Sequence, residues 1–327
     1  MKISQSREPL VSVCIPAYNS EKTIAKTISS LIIQTYKNLE IIIIDNCSTD
    51  ETVKIIKEFV DPRIKIIQND EHLPAAENNW NRCFQFAKGE FMAIFHADDV
   101  YLPNMIFRQI EIFKKNPIVG GVFTEGDVID EHDKVIDRLR LPPQISGDTP
   151  YTYRELLPIV LEQGDFFLCP SAMIKGDVYK KLAPFRYELF GSASDFDMWL
   201  RVAKTCPVII IDEKLMKYRI SRSQGSFILK SRTHEADGFR VLDFHTSEVG
   251  VHYDLSSDTL GRYELRRMED QIFCALNYLK KHDFSGFRQN MEHMAWGKYI
   301  RIILVKPRIS LPVLIRGFFK VLNNLIP

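Results

Sequence analysis

The sequence predicts an α/β fold: a mixed, mainly parallel sheet with helices on both faces, followed by a helical C-terminal extension. Two continuous apolar runs, Val11 to Ile15 and Leu39 to Ile44, are too hydrophobic for half-exposed strands and suit a sheet covered on both sides. Stretches of helical spacing alternate with them, which implies right-handed crossovers between parallel strands. The 327 residues suit one large α/β domain with an extension, or two domains.

The first run is stopped by Pro16. Asn19-Ser20 then offers a helix cap, with Glu21 near the positive end of the dipole and Ile24, Ile28, Leu31 and Ile32 at helical spacing. After the second run, Ser48-Thr-Asp-Glu51 has capping-box form, and Val53, Ile56 and Phe59 make a helical face. Ile64 to Ile67 predicts a third strand, residues 75–88 a helix, and Phe91 to Phe95 a fourth strand that runs into His96-Ala-Asp-Asp99. Pro103 is expected in the first turn of a helix reaching Lys115. Between Val119 and Tyr218 the pattern is mixed, with a helix over Asp195 to Lys204, and from about Ser231 it is almost entirely helical. The expected division is therefore 1–230 for a nucleotide-binding and catalytic domain and 231–327 for a helical region.

Lys and Arg total 43 against 42 Asp and Glu, a net charge of +1, so nothing global favours nucleic acid as a partner. Six scattered cysteines form no CxxC pair or zinc-like cluster and suit a reducing compartment. Met1 to Leu10 is polar and does not read as a signal peptide, and no run of about 18 apolar residues is present. The expected location is cytoplasmic.

Ligands on parallel sheets bind beyond the carboxyl ends of the strands. Three polar turns are expected on that edge: Tyr18-Asn19, Asp45-Asn46 and Asp98-Asp99. Paired carboxylates in such a loop suit Mg²⁺ or Mn²⁺ held together with substrate phosphates, although Asp-Asp is also an ordinary turn. Asp195 opens a helix, where it serves either as a cap or as a functional carboxylate. Arg219 and Arg222 are expected in a loop, where guanidinium groups suit diphosphate oxygens. The absence of GxGxxG and GxxxxGK[ST] disfavours a dinucleotide oxidoreductase or a P-loop enzyme.

Taken together, these residues resemble family 2 glycosyltransferases of the GT-A (Rossmann-like) fold, inverting and of the bacterial surface-polysaccharide type. The resemblance covers about residues 9–225. It rests on Val11-Ser-Val-Cys-Ile-Pro-Ala-Tyr-Asn19, Gln34-Thr-Tyr, Glu40 through Asp50, Ala87-Lys-Gly-Glu-Phe91 through Asp99, and Asp195 through Arg201. It implies a nucleotide-sugar donor whose base and ribose are lined by Pro16, Ala17, Tyr18, Asp45, Asn46, Asn78 and Asp98. It further implies Asp99 as ligand of Mn²⁺ or Mg²⁺, Asp195 as general base, and Arg219 and Arg222 near the diphosphate. Many relatives have two acidic residues where this chain has Asp45-Asn46. An Asn amide can pair with uracil or thymine, or after a flip with cytosine; a UDP-sugar is the favoured expectation. Ser194 stands where relatives often carry Glu, and Ser221 where some carry an additional His ligand.

The implied activity is glycosyl transfer to a hydroxyl of a saccharide or lipid-linked acceptor in cell-surface polysaccharide biosynthesis. Two alternatives are a nucleotidyltransferase-like enzyme and a catalytically silent nucleotide-sugar-binding protein of the same fold. The apolar, Lys- and Arg-punctuated stretches Tyr299 to Lys306 and Leu311 to Leu322 fit helices lying on the cytoplasmic face of a membrane. They fit equally well a surface packing on protein, including a second copy of the chain.

Overall fold

The computed structural model describes residues 8–74, 76–221, 229–247 and 255–305. Its sheet contains β1 (Val11–Ala17), β2 (Leu39–Asp45), β3 (Ile64–Gln68), β4 (Phe91–Ile94), β5 (Val100–Tyr101), β6 (Gly121–Ile129), β7 (Val135–Arg138), β8 (Met173–Lys175) and β9 (Val208–Arg219). The strand order is β3-β2-β1-β4-β8-β6-β9-β5, with β7 paired to β6. The first four strands run parallel, and β6 is parallel to β9. β8 is inserted antiparallel between β4 and β6. The mixed, mainly parallel sheet expected from the sequence is thus present.

Every residue of β2 is buried, which explains the run Ile41 to Ile44; Glu40 is held there by Ser12 and Lys65. Val13, Ile15, Ile41 and Ile43 face a core shared with Ile24, Ile28 and Leu31 of α1 (Ile24–Ile32). The opposite face of β1 and β2 carries Cys14, Ile42 and Ile44 and contacts α3 (Ala76–Phe86), which follows the short α2 (Thr52–Lys57). Truncating one of these isoleucines to Ala is expected to cost about 2–5 kcal/mol. Gly89 precedes β4 for a steric reason: an added Cβ would lie 2.5 Å from the Ser12 nitrogen and the Phe91 oxygen. That close approach lets the Ser12 hydroxyl accept from the Lys88 and Gly89 amides while donating to Glu40 at 2.7 Å.

Several local expectations differ from the structure. Helix α1 is capped at Thr23, not Asn19-Ser20. Asn19 instead has φ +45° and accepts from the Thr49 amide at 2.8 Å, tying the turn after β1 to the turn after β2. Ser48 does not cap α2; its hydroxyl accepts from the Asn19 amide, while Asp50 takes the Thr52 amide. Pro103 lies just before α4 (Met105–Lys115). All six cysteines are free.

The next helices along the chain are α5 (Tyr153–Gln163), α6 (Gly176–Leu182), α7 (Tyr187–Phe190) and α8 (Ser194–Thr205). One compact unit runs to Glu155 and resumes over Phe166–Ile220; the second comprises Leu156–Asp165 and the chain from Ser221. The second unit contains α9 (Asp237–Ser247), α10 (Ser257–Lys280), α11 (Phe284–His293) and α12 (Trp296–Val305). Leu265, Met268, Met294 and Tyr299 form a core within it. Arg266 also donates there to the Val160 and Leu161 carbonyls at 2.9 and 2.6 Å. Among the described residues no helix is long and apolar enough to cross a membrane.

Candidate active site

Because β1, β2 and β4 are parallel neighbours, the turns after Ala17, Asp45 and Ile94 emerge on one edge of the sheet. The turn after β4 carries His96, Asp98 and Asp99, and α1 braces it: Thr23 donates to the Ala97 carbonyl at 3.0 Å and Thr27 to that of Asp99 at 2.8 Å. Tyr101 stacks on Phe95 and accepts from the His96 amide at 2.7 Å. The backbone of this turn is therefore fixed from both sides.

Asp99 is fully buried. Its Oδ1 accepts from the Arg219 amide at 2.7 Å, and its Oδ2 has no hydrogen-bond partner among the described residues. Burial, reinforced by the Asp98 charge, pushes its carboxyl well above the usual carboxylate range, against the Arg219 amide and guanidinium. An orphaned buried carboxylate oxygen is costly on its own and fits a site for a cation. One ligand atom each from His96, Asp98 and Asp99 lie within 4.8 Å of one another. Burial also depresses the His96 imidazole despite the nearby Asp98 charge, which favours the neutral, ligating form. These three residues, not Asp99 alone, fit a divalent ion. His96 is the functional candidate that the sequence reading missed, although its place two residues before an Asp-Asp pair at a strand end was a visible signal.

Asp195 lies in the first turn of α8 and is half-buried. Desolvation raises its carboxyl, opposed by the Phe196 amide, 2.7 Å from Oδ1, and by the Cys169 thiol. Cys169 also lies 3.8 Å from His96 Nε2, so one sulfur contacts both the metal-binding candidate and the candidate base. The helix start is held by Asp197, fully buried, which accepts from Arg186 Nε and Arg201 Nε at 2.9 Å each. Arg201 in turn donates to the Leu182 and Pro184 carbonyls. Ser194 is also fully buried, and its hydroxyl has no hydrogen-bond partner among the described residues.

At the β1 and β2 ends, Pro16 is half-buried, Ala17 and Asp45 are buried, and Tyr18 is exposed beside His72, with ring centroids 4.5 Å apart. Asp45 accepts from the Ser48 amide. The Asn46 side chain, expected to pair with a nucleobase, is engaged within the protein. It donates to the Leu73 carbonyl at 2.8 Å, while its oxygen accepts from the Leu73 amide and from Asn69 at 2.8 and 2.9 Å. Asn79 is likewise engaged with the Ile44 carbonyl and Asn69, whereas Asn78 is half-buried in α3.

Arg219 also differs from the expectation: it ends β9 rather than lying in a loop, and it is buried. Its guanidinium donates to the Asp98 and Asp130 carbonyls at 2.7 and 2.8 Å and pairs with Asp133 at 2.5 Å. Those bonds make it a tie on the turn after β4. Arg222 lies outside the described residues.

A mainly parallel sheet whose strand-end turns gather a His-Asp-Asp cluster, with a carboxylate at a nearby helix start, defines a GT-A glycosyltransferase. The model of the family described as "Glycosyl transferase family 2" matches residues 12–181, and the chain belongs to that family. It is 31% identical over 249 residues to an uncharacterized glycosyltransferase, MJ1057, of Methanocaldococcus jannaschii, covering 74% of this chain and 81% of the relative. It is 30% identical over 281 residues to WfgD of Escherichia coli, covering 84% and 96%. That relative is described as a UDP-Glc:alpha-D-GlcNAc-diphosphoundecaprenol beta-1,3-glucosyltransferase. Among solved structures, S. aureus TarS 1-349 in complex with UDP is similar at TM-score 0.55 and 17% identity, covering 88% of this chain and 91% of that one. The mannosyltransferase PcManGT of Pyrobaculum calidifontis, in complex with GDP-Man and Mn2+, is similar at TM-score 0.51 and 15% identity, covering 98% and 88%. The protein is a glycosyltransferase.

Proposed function

We propose that this enzyme transfers a glycosyl group from a UDP-sugar to a hydroxyl of a saccharide or lipid-linked acceptor in cell-surface polysaccharide synthesis, with inversion at the anomeric carbon. The observation that carries the reading is the buried Asp99 with its unpartnered oxygen, beside Asp98 and His96. Asp99, Asp98 and His96 would hold a divalent cation, Mn²⁺ or Mg²⁺. When bound, such an ion supplies charge neutralisation to the departing diphosphate. Ala17, Tyr18, Asp45 and Asn78 line the proposed nucleoside pocket, with Asp98 also toward the ribose.

Asp195 takes the proton of the acceptor hydroxyl as its oxygen bonds the anomeric carbon and the bond to the diphosphate oxygen breaks. A carboxyl raised above its ordinary range by burial is a better match to that task than an exposed one. Attack from the face opposite the leaving group gives inversion. The UDP preference is supported by the donor in the description of WfgD and by the UDP bound to TarS; the lipid-linked acceptor is supported by the former.

The test is a donor-hydrolysis screen with UDP-, dTDP-, GDP- and CMP-sugars, with and without Mn²⁺. Metal-dependent release of UDP is expected, and no metal-dependent release from any donor would sink the reading. We place the enzyme at a membrane surface through its C-terminal helices. Trp296, Ile300 and Leu304 form an exposed apolar stripe at four-residue spacing on α12, as an interfacial helix requires. Removing residues after 295 should abolish binding to anionic liposomes. Unchanged binding would refute the placement and leave an interface between copies as the use of that stripe.

A further inference from the structure

His96 is held from several directions by groups distant in sequence. Trp80 stacks on its ring with centroids 5.5 Å apart and planes 26° from parallel. The Cys169 sulfur lies 3.8 Å from Nε2. On the other side, Nδ1 is 3.9 Å from Asp99 Oδ2, the buried oxygen without a hydrogen-bond partner. A histidine that binds metal through one nitrogen ordinarily donates its other N–H to a neighbouring group, which fixes the tautomer and the ring plane. Sulfur is a weak acceptor but can fill that role. With Nε2–H directed at Cys169, the Nδ1 lone pair faces the carboxylates of Asp98 and Asp99.

We infer that His96, through Nδ1, is a nitrogen ligand of the cation held by Asp99, and that it shifts the site's preference from Mg²⁺ towards Mn²⁺ and Co²⁺. This rests on the proposed function, which requires a divalent ion at Asp99. An all-oxygen site suits Mg²⁺, which favours carboxylates, water and phosphate oxygens. Imidazole gains more with first-row transition ions. Trp80 and Cys169 act here as positioning residues: the one limits ring rotation, the other selects the tautomer. Ser221, which stands where some relatives carry a metal-binding His, gives the chain no imidazole at that place.

The experiment is pulsed EPR on the full chain with Mn²⁺ and UDP, joined to calorimetric titrations with Mn²⁺ and with Mg²⁺. The wild type should show a ¹⁴N coupling from a directly bound imidazole. His96→Gln should lose it, weaken Mn²⁺ at least ~10-fold and change Mg²⁺ affinity much less. Manganese that binds, and is lost in Asp99→Ala, yet shows no ¹⁴N coupling overturns the assignment of His96 while the cation at Asp99 stands. A coupling that persists in His96→Gln, or an equal loss of Mn²⁺ and Mg²⁺ affinity, also overturns it. Failure of the wild type to bind manganese in the presence of UDP overturns both readings. The wild-type spectrum decides even if a variant folds poorly.

Discussion

Two stretches of the same sheet edge are built on opposite principles. At the end of β2, the Asn46 and Asn79 side chains are engaged inside the protein, with Leu73 and with Ile44, and are joined through Asn69, whose own Oδ1 is buried without a partner among the described residues. At the end of β4 and the start of α8, Asp99 Oδ2 and Ser194 Oγ are buried with no hydrogen-bond partner among the described residues, and Asp195 is held above its ordinary pKa. A polar network whose partners are internal sets the shape of a pocket. Buried groups left short of partners store free energy that a bound cation or substrate can release. The contrast is between amides bonded to the backbone at the end of β2 and a carboxylate oxygen left open at the end of β4.

The largest expected effect comes from removing the base. Asp195→Asn should lower kcat by about 10²–10⁴-fold while the dissociation constant for UDP changes little, as measured by single-turnover kinetics and calorimetry. Near-normal turnover would remove Asp195 from the chemistry. Next, Asp99→Ala should abolish measurable Mn²⁺ binding in the presence of UDP and reduce turnover by about 10²–10³-fold, corresponding to several kcal/mol. If the variant kept its Mn²⁺ affinity, the ion would have to sit elsewhere.

On the satisfied side of the contrast, Asn46→Ala should act mainly on stability. Leaving the Leu73 amide and carbonyl without partners should cost about 1–3 kcal/mol in urea unfolding. The effect on kcat should be small by comparison. A variant of unchanged stability but greatly altered base preference would show that Asn46 belongs with the chemistry after all.

The smallest expected effect is on pH dependence. Asp195 has a raised carboxyl pKa in the folded state, so the native protein holds its proton over a window where the unfolded chain has lost it. Its contribution to stability is therefore lost as pH rises from the ordinary carboxylate value to the raised one. Asp195→Asn should remove that decline, measured by urea midpoints across the window. The acid limb of kcat/KM should likewise lie above the ordinary carboxylate range in the wild type. A limb at the pKa of an exposed carboxylate would contradict the buried base.

The part of the fold that was legible in sequence is the part whose strands are buried on both faces. β1, β2 and β4 announce themselves as largely apolar runs, and their ends bring Asp45, Asp98 and Asp99 to one edge of the sheet. The segment from β5 to β9 was less legible because its order depends on pairing between distant residues. Met173 of the short β8, for example, pairs with both Ala93 and Val122. The same limit hid details of the site. Nothing local marks Cys169 as a neighbour of His96, and nothing in Asn46 says that its partner will be the backbone of Leu73. Arg219 is expected in a loop from sequence because its partners include the carbonyls of Asp98 and Asp130, which carry no side-chain signature.

The Asn46 amide and the Leu73 peptide face each other as donor to acceptor and acceptor to donor, the reciprocal pattern by which two nucleobases pair. That edge is filled before any nucleotide arrives. Redesigning it would cost the turn its ties to Leu73. In the proposed nucleoside pocket the places to diversify are the exposed Tyr18 and the half-buried Asn78; His72 Nδ1 already lies 3.1 Å from the Asn46 carbonyl oxygen and belongs to the turn.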